Sequence, residues 1–440
     1  MSDFEIKVGQ LKFSHFTNGW VKRELDTVAD SFQFQYADLR TDLRQEVPIR
    51  AGDECTISLR GETLLTGYFD DISTEYNADG IRLTAVGRSR TGDLVDSSAL
   101  VKGGRWRNAT LRTIVNDLCE PFSIDVSIDK MAGLEERFRR FAVEPGESVA
   151  DTIHRICRLR AVWATCTVYG GLHITRSALG RTASVAIEYG KNIIQGSRFD
   201  SWAQRHDQYL LKGQAPSDEE MSGAAASQLS EYVFDDGVNR YRPLLLVSTG
   251  QDKKGDLKRR AQWERNRRAG SGERWLYRVD GFGYASANFV GSFKHKRREA
   301  FKLWEPNMMV KVADPRLDTA DDLLVAAVSY RWSADGDDGG RTTDLTLTRK
   351  EAFSLQTYPR RKKRKVIPGD PIFGGQNFYS PSSIAAANAE KSDSKFAVGA
   401  SPPSGYPVND FDGEKPPKPR RTPFSPTHDT QPLWKRDEEK

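Results

Sequence analysis

The chain has 440 residues and a mass of 49.5 kDa, long enough for several domains and a sizeable core. Its 38% hydrophobic and 29% charged residues exclude the collagen-like, coiled-coil and wholly disordered classes. Sixty-six basic against sixty-one acidic residues leave a net charge of only +5, so any nucleic-acid contact has to be sought in local clusters. Nowhere do eighteen apolar residues run together, which predicts no membrane-spanning helix and no membrane insertion. Residues 1–13 are charged and lack the apolar stretch of a secretory signal, so synthesis in the cytoplasm is expected. Four cysteines without a CxxC pair read as reduced, mostly buried thiols.

In chain order, residues 1–100 read as strands. CTISLRG and LLTGYFDDISTEY are followed by a turn over 77–80 and by IRLTAVGRS, where Ile81, Leu83 and Ala85 alternate with Arg82 and Thr84. From Asn108 the period changes to 3.6. Leu111, Ile114, Val115 and Leu118 mark one helix, and Val149, Ile153, Ile156 and Cys157 a second, before a strand over 162–169; a small α/β domain is expected over 101–185. Strand-like stretches return at 208–212, 275–282, 308–312, 324–330 and 343–348, with a charged helix at 253–269, giving a second β domain over 186–353. After Phe353 the material differs. Thirteen of the twenty prolines lie there, so 354–440 is expected to be an extended, basic, Pro-rich arm.

Residues 48–88 and 306–349 match element for element: a proline, a strand, a long strand (LLTGYFDDISTEY or LLVAAVSYRWS), an ADG turn and a closing strand. This predicts two β domains of one design. The competing reading is that hairpins with Asp-Gly turns resemble one another by composition.

Signals of catalysis are scarce. Walker, HExxH, GxSxG and Rossmann patterns are missing, and Asp70–Asp71, Asp235–Asp236, Asp321–Asp322 and the acids at 335–338 mostly adjoin glycine in turns; no catalytic residue and no cofactor are assigned. His154, Cys157, Cys166 and His173 have zinc-ligand chemistry, but both cysteines continue apolar patterns, so core thiols are expected and no metal. Residues 253–268 carry eight Lys or Arg around Trp263. Arg259, Arg260, Arg267 and Arg268 could grip phosphate, though a helix facing water or an acidic neighbour is the favoured reading. Lys294, Lys296, Arg297 and Arg298 extend the basic character. The run Arg360, Arg361, Lys362, Lys363, Arg364 and Lys365 reads as an electrostatic anchor for the arm rather than an import signal, and Phe373, Phe378, Tyr379, Phe396, Tyr406, Phe411, Phe424 and Trp434 as rings that need docking pockets. The segment 143–176 opens like a LysM glycan-binding module but lacks that module's second half.

Three stretches together, LLTGYFDDISTEYNADGIRLTAVGRSRTGDLVDSS at 64–98, the segment at 143–176, and LWEPNMMVKVADP through LTLTRKEAF at 303–353, resemble the baseplate hub proteins of Mu-like contractile phage tails, the tail protein P or late control protein D-like hub family. The resemblance spans about 350 residues. It implies a mainly β chain with an α+β insertion, in which two tube-like β-barrel domains accompany the small α/β domain and the arm. It also implies a structural, non-enzymatic virion component of the tail baseplate, assembled in the host bacterial cytoplasm as a homotrimeric ring that adapts the hexameric tail tube to the trimeric spike. Implied partners are the spike, the tail tube or tube-initiator proteins, further baseplate proteins through the arm, and DNA only in transit through the lumen. The alternatives are a peptidoglycan-binding, LysM-like wall protein and a tail-associated wall hydrolase.

Overall fold

The computed structural model describes residues 3–14, 16–38, 49–77, 80–101, 103–130, 134–177, 182–214, 229–251, 254–285, 301–334 and 340–355. The basic run and all arm aromatics named above lie outside the described residues, as do Lys253, the cations at 294–298 and the acids at 335–338. Most of the described chain is β, joined by a few helices.

One sheet of thirteen strands dominates. Its first unit consists of the strands Asn18–Glu24, Ser31–Asp38, Glu54–Leu59, Glu62–Asn77 and Gly80–Ser89. Its second consists of Ile193–Asp200, Glu273–Asp280, Met309–Asp314, Thr319–Ser333 and Arg341–Thr348. Lettered a to e in chain order, both units hydrogen-bond in the order a-b-e-d-c. The duplication read from the sequence therefore has a structural counterpart, and it extends to detail. Strand d carries a bulge against strand e in both units, at 69–71 and at 325–327. On strand b, the buried Phe32 and Phe34 correspond to the buried Trp275 and Tyr277. On strand a, Gly19 and Gly196 fall at equivalent positions. A Cβ would approach a ring atom of Phe34 to 2.3 Å at Gly19 and one of Tyr277 to 2.9 Å at Gly196, so each glycine makes room for the same aromatic on the neighbouring strand.

The two units share one hydrophobic core, running from Phe4, Ile57 and Phe69 through Tyr330, Val310 and Leu347. The half-buried strand Gly80–Ser89 shows why the alternation was readable: Leu83 and Ala85 are buried, Arg82 is exposed. Between strands a and b the units diverge. Residues 25–30 make that link in the first, whereas the second inserts a three-stranded sheet (Gln208–Gln214, Leu229–Phe234, Pro243–Gln251) and the helix Lys254–Gly272, which bury Leu211, Val233, Leu257 and Ala261 together. That helix runs on to Gly272, past the 269 expected from charge.

A separate core closes the segment between the units. The helices Leu111–Cys119 and Val149–Arg160 present Ile114, Val115, Ile153 and Ile156 to the short sheet formed by Val126–Ile128, Trp163–Cys166 and Leu172–Thr175. Ser148 caps the second helix, its Oγ accepting from the Asp151 amide at 3.1 Å, and Ala161 ends it in the left-handed region at φ 51°. Ser148→Ala is expected to cost about 1 kcal/mol; a thermal melt of the variant unchanged from wild type would contradict this.

Candidate assembly surfaces

The cationic helix Lys254–Gly272 is turned into the protein. Arg259 reaches Glu136 at 3.8 Å, Arg260 donates to Ser248 Oγ at 3.1 Å, Arg267 meets Asp26 at 3.4 Å and Arg268 meets Glu264 at 3.4 Å. Trp263 is buried and stacks on Trp163 at 5.1 Å, and the Arg267 guanidinium lies over both rings, 5.5 Å from Trp163 and 5.8 Å from Trp263. Arg265 is buried too, and burial holds its guanidinium below the usual value. The helix thus meets acids and aromatic rings within its own chain. Its apolar pattern is weak because, beside Leu257, Ala261 and Ala269, the polar residues Glu264, Arg265 and Asn266 are buried as well.

Beside it lies a cavity of 330 Å³ lined by Asp26, His154, Arg158, Gln204, Arg267 and Ser271, among others. His154 is held below its ordinary value, first by burial and then by Arg158. The metal candidates do not converge. Among the described residues no group of three or more His, Cys, Asp or Glu could hold a metal ion. Burial pushes the thiols of Cys157 and Cys166 up to about 12 and about 11, away from the thiolate that coordination requires, and His173 instead shares a hydrogen bond with Ser127 Oγ at 2.8 Å. The acidic pairs are likewise held by arginine: Asp70 by Arg88 at 2.6 Å, Asp235 by Arg205 at 2.6 Å and Asp321 by Arg349 at 3.4 Å.

Nothing in the residue pattern marks how the two sheet units join. Strand Thr319–Ser333 is long enough to serve two neighbours on one edge. Its first part pairs with Met309–Asp314, and residues 327–333 pair antiparallel with Asn18–Glu24, so strand d of the second unit meets strand a of the first. The equivalent strand Glu62–Asn77 has the same length to spare. Its first part pairs with Glu54–Leu59, while along 71–77 the described residues offer a partner only on the Gly80–Ser89 side. Strand Ile193–Asp200 likewise pairs with Glu273–Asp280 on one edge, and no described strand lies on the other. Around these edges sit large exposed side chains: Tyr76 is 83% exposed, Ile194 56% and Phe199 53%. Open strand edges of this kind template further pairing unless they are covered.

A duplicated sheet joined once within the chain, with open edges left among the described residues, suits a protein that assembles through further strand pairing. Comparisons with known proteins agree on which. Family models described as Mu phage baseplate assembly protein GpP-like, N-terminal; baseplate hub protein gp44-like, second domain; and Mu phage baseplate assembly protein GpP, fourth domain match residues 3–89, 91–176 and 254–356. The baseplate hub protein gp44 of Escherichia phage Mu is 27% identical over 362 residues, covering 80% of this chain and 89% of the relative. Among solved structures, the 43 kDa tail protein of prophage MuSo2 from Shewanella oneidensis superposes with a TM-score of 0.67 at 28% identity, covering 79% of this chain and 98% of that one. A tail protein from Neisseria meningitidis MC58 shares the fold, with a TM-score of 0.65 at 18% identity over 81% and 99% of the two chains. The chain belongs to the baseplate hub proteins of Mu-like phage tails. It is a structural part of the virion and not an enzyme. The match over 91–176 also takes in the segment that opened like a LysM module; its second half is the hairpin of Trp163–Cys166 with Leu172–Thr175.

Proposed function

We propose that this hub is a symmetry adaptor: a homotrimeric ring in which each subunit contributes two tube-like β-barrel domains, over 1–100 and 186–353, so that three chains present six similar units. Such a ring would meet the hexameric tail tube on one face and the trimeric spike on the other, with DNA passing through its lumen. The domain over 101–185 stands outside the duplicated units. The arm over 354–440 docks on adjacent baseplate proteins, its basic run 360–365 acting as the anchor and its eight aromatic residues as the plugs.

The observation that carries this reading is the shared a-b-e-d-c order of the two five-stranded units, down to the Gly19 and Gly196 equivalence. A chain that repeats one sheet unit twice can match a sixfold neighbour with three copies, because each unit meets the neighbour in the same way. Light scattering of the purified full chain should give about three times 49.5 kDa, and negative-stain images a threefold ring with a central hole. A 49.5 kDa monomer at every concentration, retained on purified peptidoglycan, would replace the ring with the wall-binding reading.

A further inference from the structure

We infer that copies of this chain join edge to edge through one specific antiparallel strand pair, residues 71–77 of one copy against strand Ile193–Asp200 and its next residue Ser201 of another. This rests on the ring reading above and supplies its contact surface.

The register comes from the joint the chain already makes with itself. There Ala327 faces Glu24, Val328 faces Arg23, Tyr330 faces Val21, Arg331 faces Trp20 and Trp332 faces Gly19. The bulges align strand d of the two units: Val325 and Ala327 flank one, Phe69 and Asp71 the other, so Ala327 corresponds to Asp71 and Trp332 to Tyr76. The pairings of strands a, b and e align the rest, with Phe32 on Trp275 and Gly19 on Gly196. Carrying the internal joint over to the open edges places Ile72 opposite Asp200, Thr74 opposite Arg198, Glu75 opposite Ser197 and Tyr76 opposite Gly196.

Two features of the open edges fit that partner. Trp332 lies across from Gly19, a large ring over a residue with no side chain, and it is partly buried against the core. Its counterpart Tyr76 is 83% exposed, and the glycine that would receive it, Gly196, sits on the other open edge. An aromatic across from a strand glycine covers the gap the glycine leaves. The aliphatic-against-charged pairing of Val328 with Arg23 is repeated by Ile72 with Asp200. Because the two edges are different surfaces, the contact is head to tail, and it closes into a ring when the rotation allows.

Disulfide trapping in the full chain tests the register. Glu75→Cys and Ser197→Cys are both on exposed positions, and the four native cysteines are buried. The double variant, oxidised and run under denaturing conditions without reductant, should give a ladder of covalent oligomers that ends at the trimer. An equal mixture of the two single variants should give covalent dimers, and neither single variant alone should. The control pair Asp71→Cys with Ser197→Cys is out of register by four residues, about 13 Å along the strand, too far for a disulfide, and should stay uncrosslinked. Circular dichroism and native mass matching wild type establish that each variant is folded and assembled. An assembled double variant without crosslinks, or equal crosslinking by both pairs, would overturn this joint while leaving the ring. A wild-type chain that stays monomeric would overturn both.

Discussion

Replacing Trp163 by alanine is expected to remove about 3–5 kcal/mol of stability. Trp163 sits where three distant segments meet: its own strand Trp163–Cys166, the helix Lys254–Gly272 through the stack on Trp263, and the 3-10 turn Lys350–Phe353, whose Phe353 ring contacts it edge-on at 4.7 Å. Its indole Nε1 donates to the Phe353 carbonyl at 2.9 Å in a buried setting. The alanine variant would therefore leave a cavity, orphan a buried carbonyl and take one of its two rings from under Arg267. Trp163→Phe, which keeps a ring but loses the donor, should lose less. Because the chain has several cores, a single two-state melt is not assumed. Hydrogen exchange is the sharper readout: protection should fall in 254–272 and 350–355 before it falls in the first sheet unit. Unchanged exchange in both segments would show that the joint does not hold them.

That joint also shows where sequence reasoning stopped. Strands with one buried face were legible, because burial imposes alternation, as in Gly80–Ser89 with its buried Leu83 and Ala85. The repeat was legible for a similar reason, since strands c, d and e are contiguous in both units. Strands a and b of the second unit were harder. The inserted sheet and helix separate them, and Ile193–Asp200 is exposed along most of its length within one chain, so no alternation marks it. If its missing neighbour is another copy, its pattern belongs to the assembly and not to the single chain. For the basic stretch 253–268 the residues admit a phosphate surface but favour a helix facing water or an acidic neighbour, and Arg259, Arg267 and Arg268 of the helix Lys254–Gly272 find Glu136, Asp26 and Glu264 from elsewhere in the fold or one turn away. Of those acids only Glu264 is near in sequence, so the pairing was not visible before folding. Trp263, at the centre of the basic run, was the available clue: a tryptophan amid arginines can form a stacked, buried joint as readily as a platform for bases.

Replacing Arg23 by methionine is expected to cost a similar amount, about 3–5 kcal/mol, but with a pH dependence that identifies the cause. Arg23 Nε lies 3.1 Å from Asp30 Oδ2, with the two side chains only 12% and 2% exposed. Asp30 also accepts from the Glu24 amide at 3.2 Å, and its own amide donates to Ser89 Oγ at 3.0 Å, so the pair ties strand Asn18–Glu24 to the end of Gly80–Ser89. Burial pushes the Asp30 carboxyl up to about 6 from the ordinary 3.8, against the opposing pull of Arg23. A carboxyl whose folded value lies above its unfolded one binds the proton more tightly when folded. It therefore favours the native state at low pH, and that contribution is lost as pH rises from about 4 to about 6. Without Arg23 the pull is gone, so the Asp30 value rises further and the losing window extends upward. The Arg23→Met variant should thus be only mildly destabilised at pH 5, where Asp30 can stay protonated, and severely at pH 8, where a lone carboxylate would have to remain buried. Adding Asp30→Asn should recover much of the loss at pH 8, since a neutral amide leaves no unpaired charge. Urea midpoints of the three proteins at the two pH values decide it. An equal loss at both, or no recovery in the double variant, would mean that Arg23 acts through its packing and not through its charge.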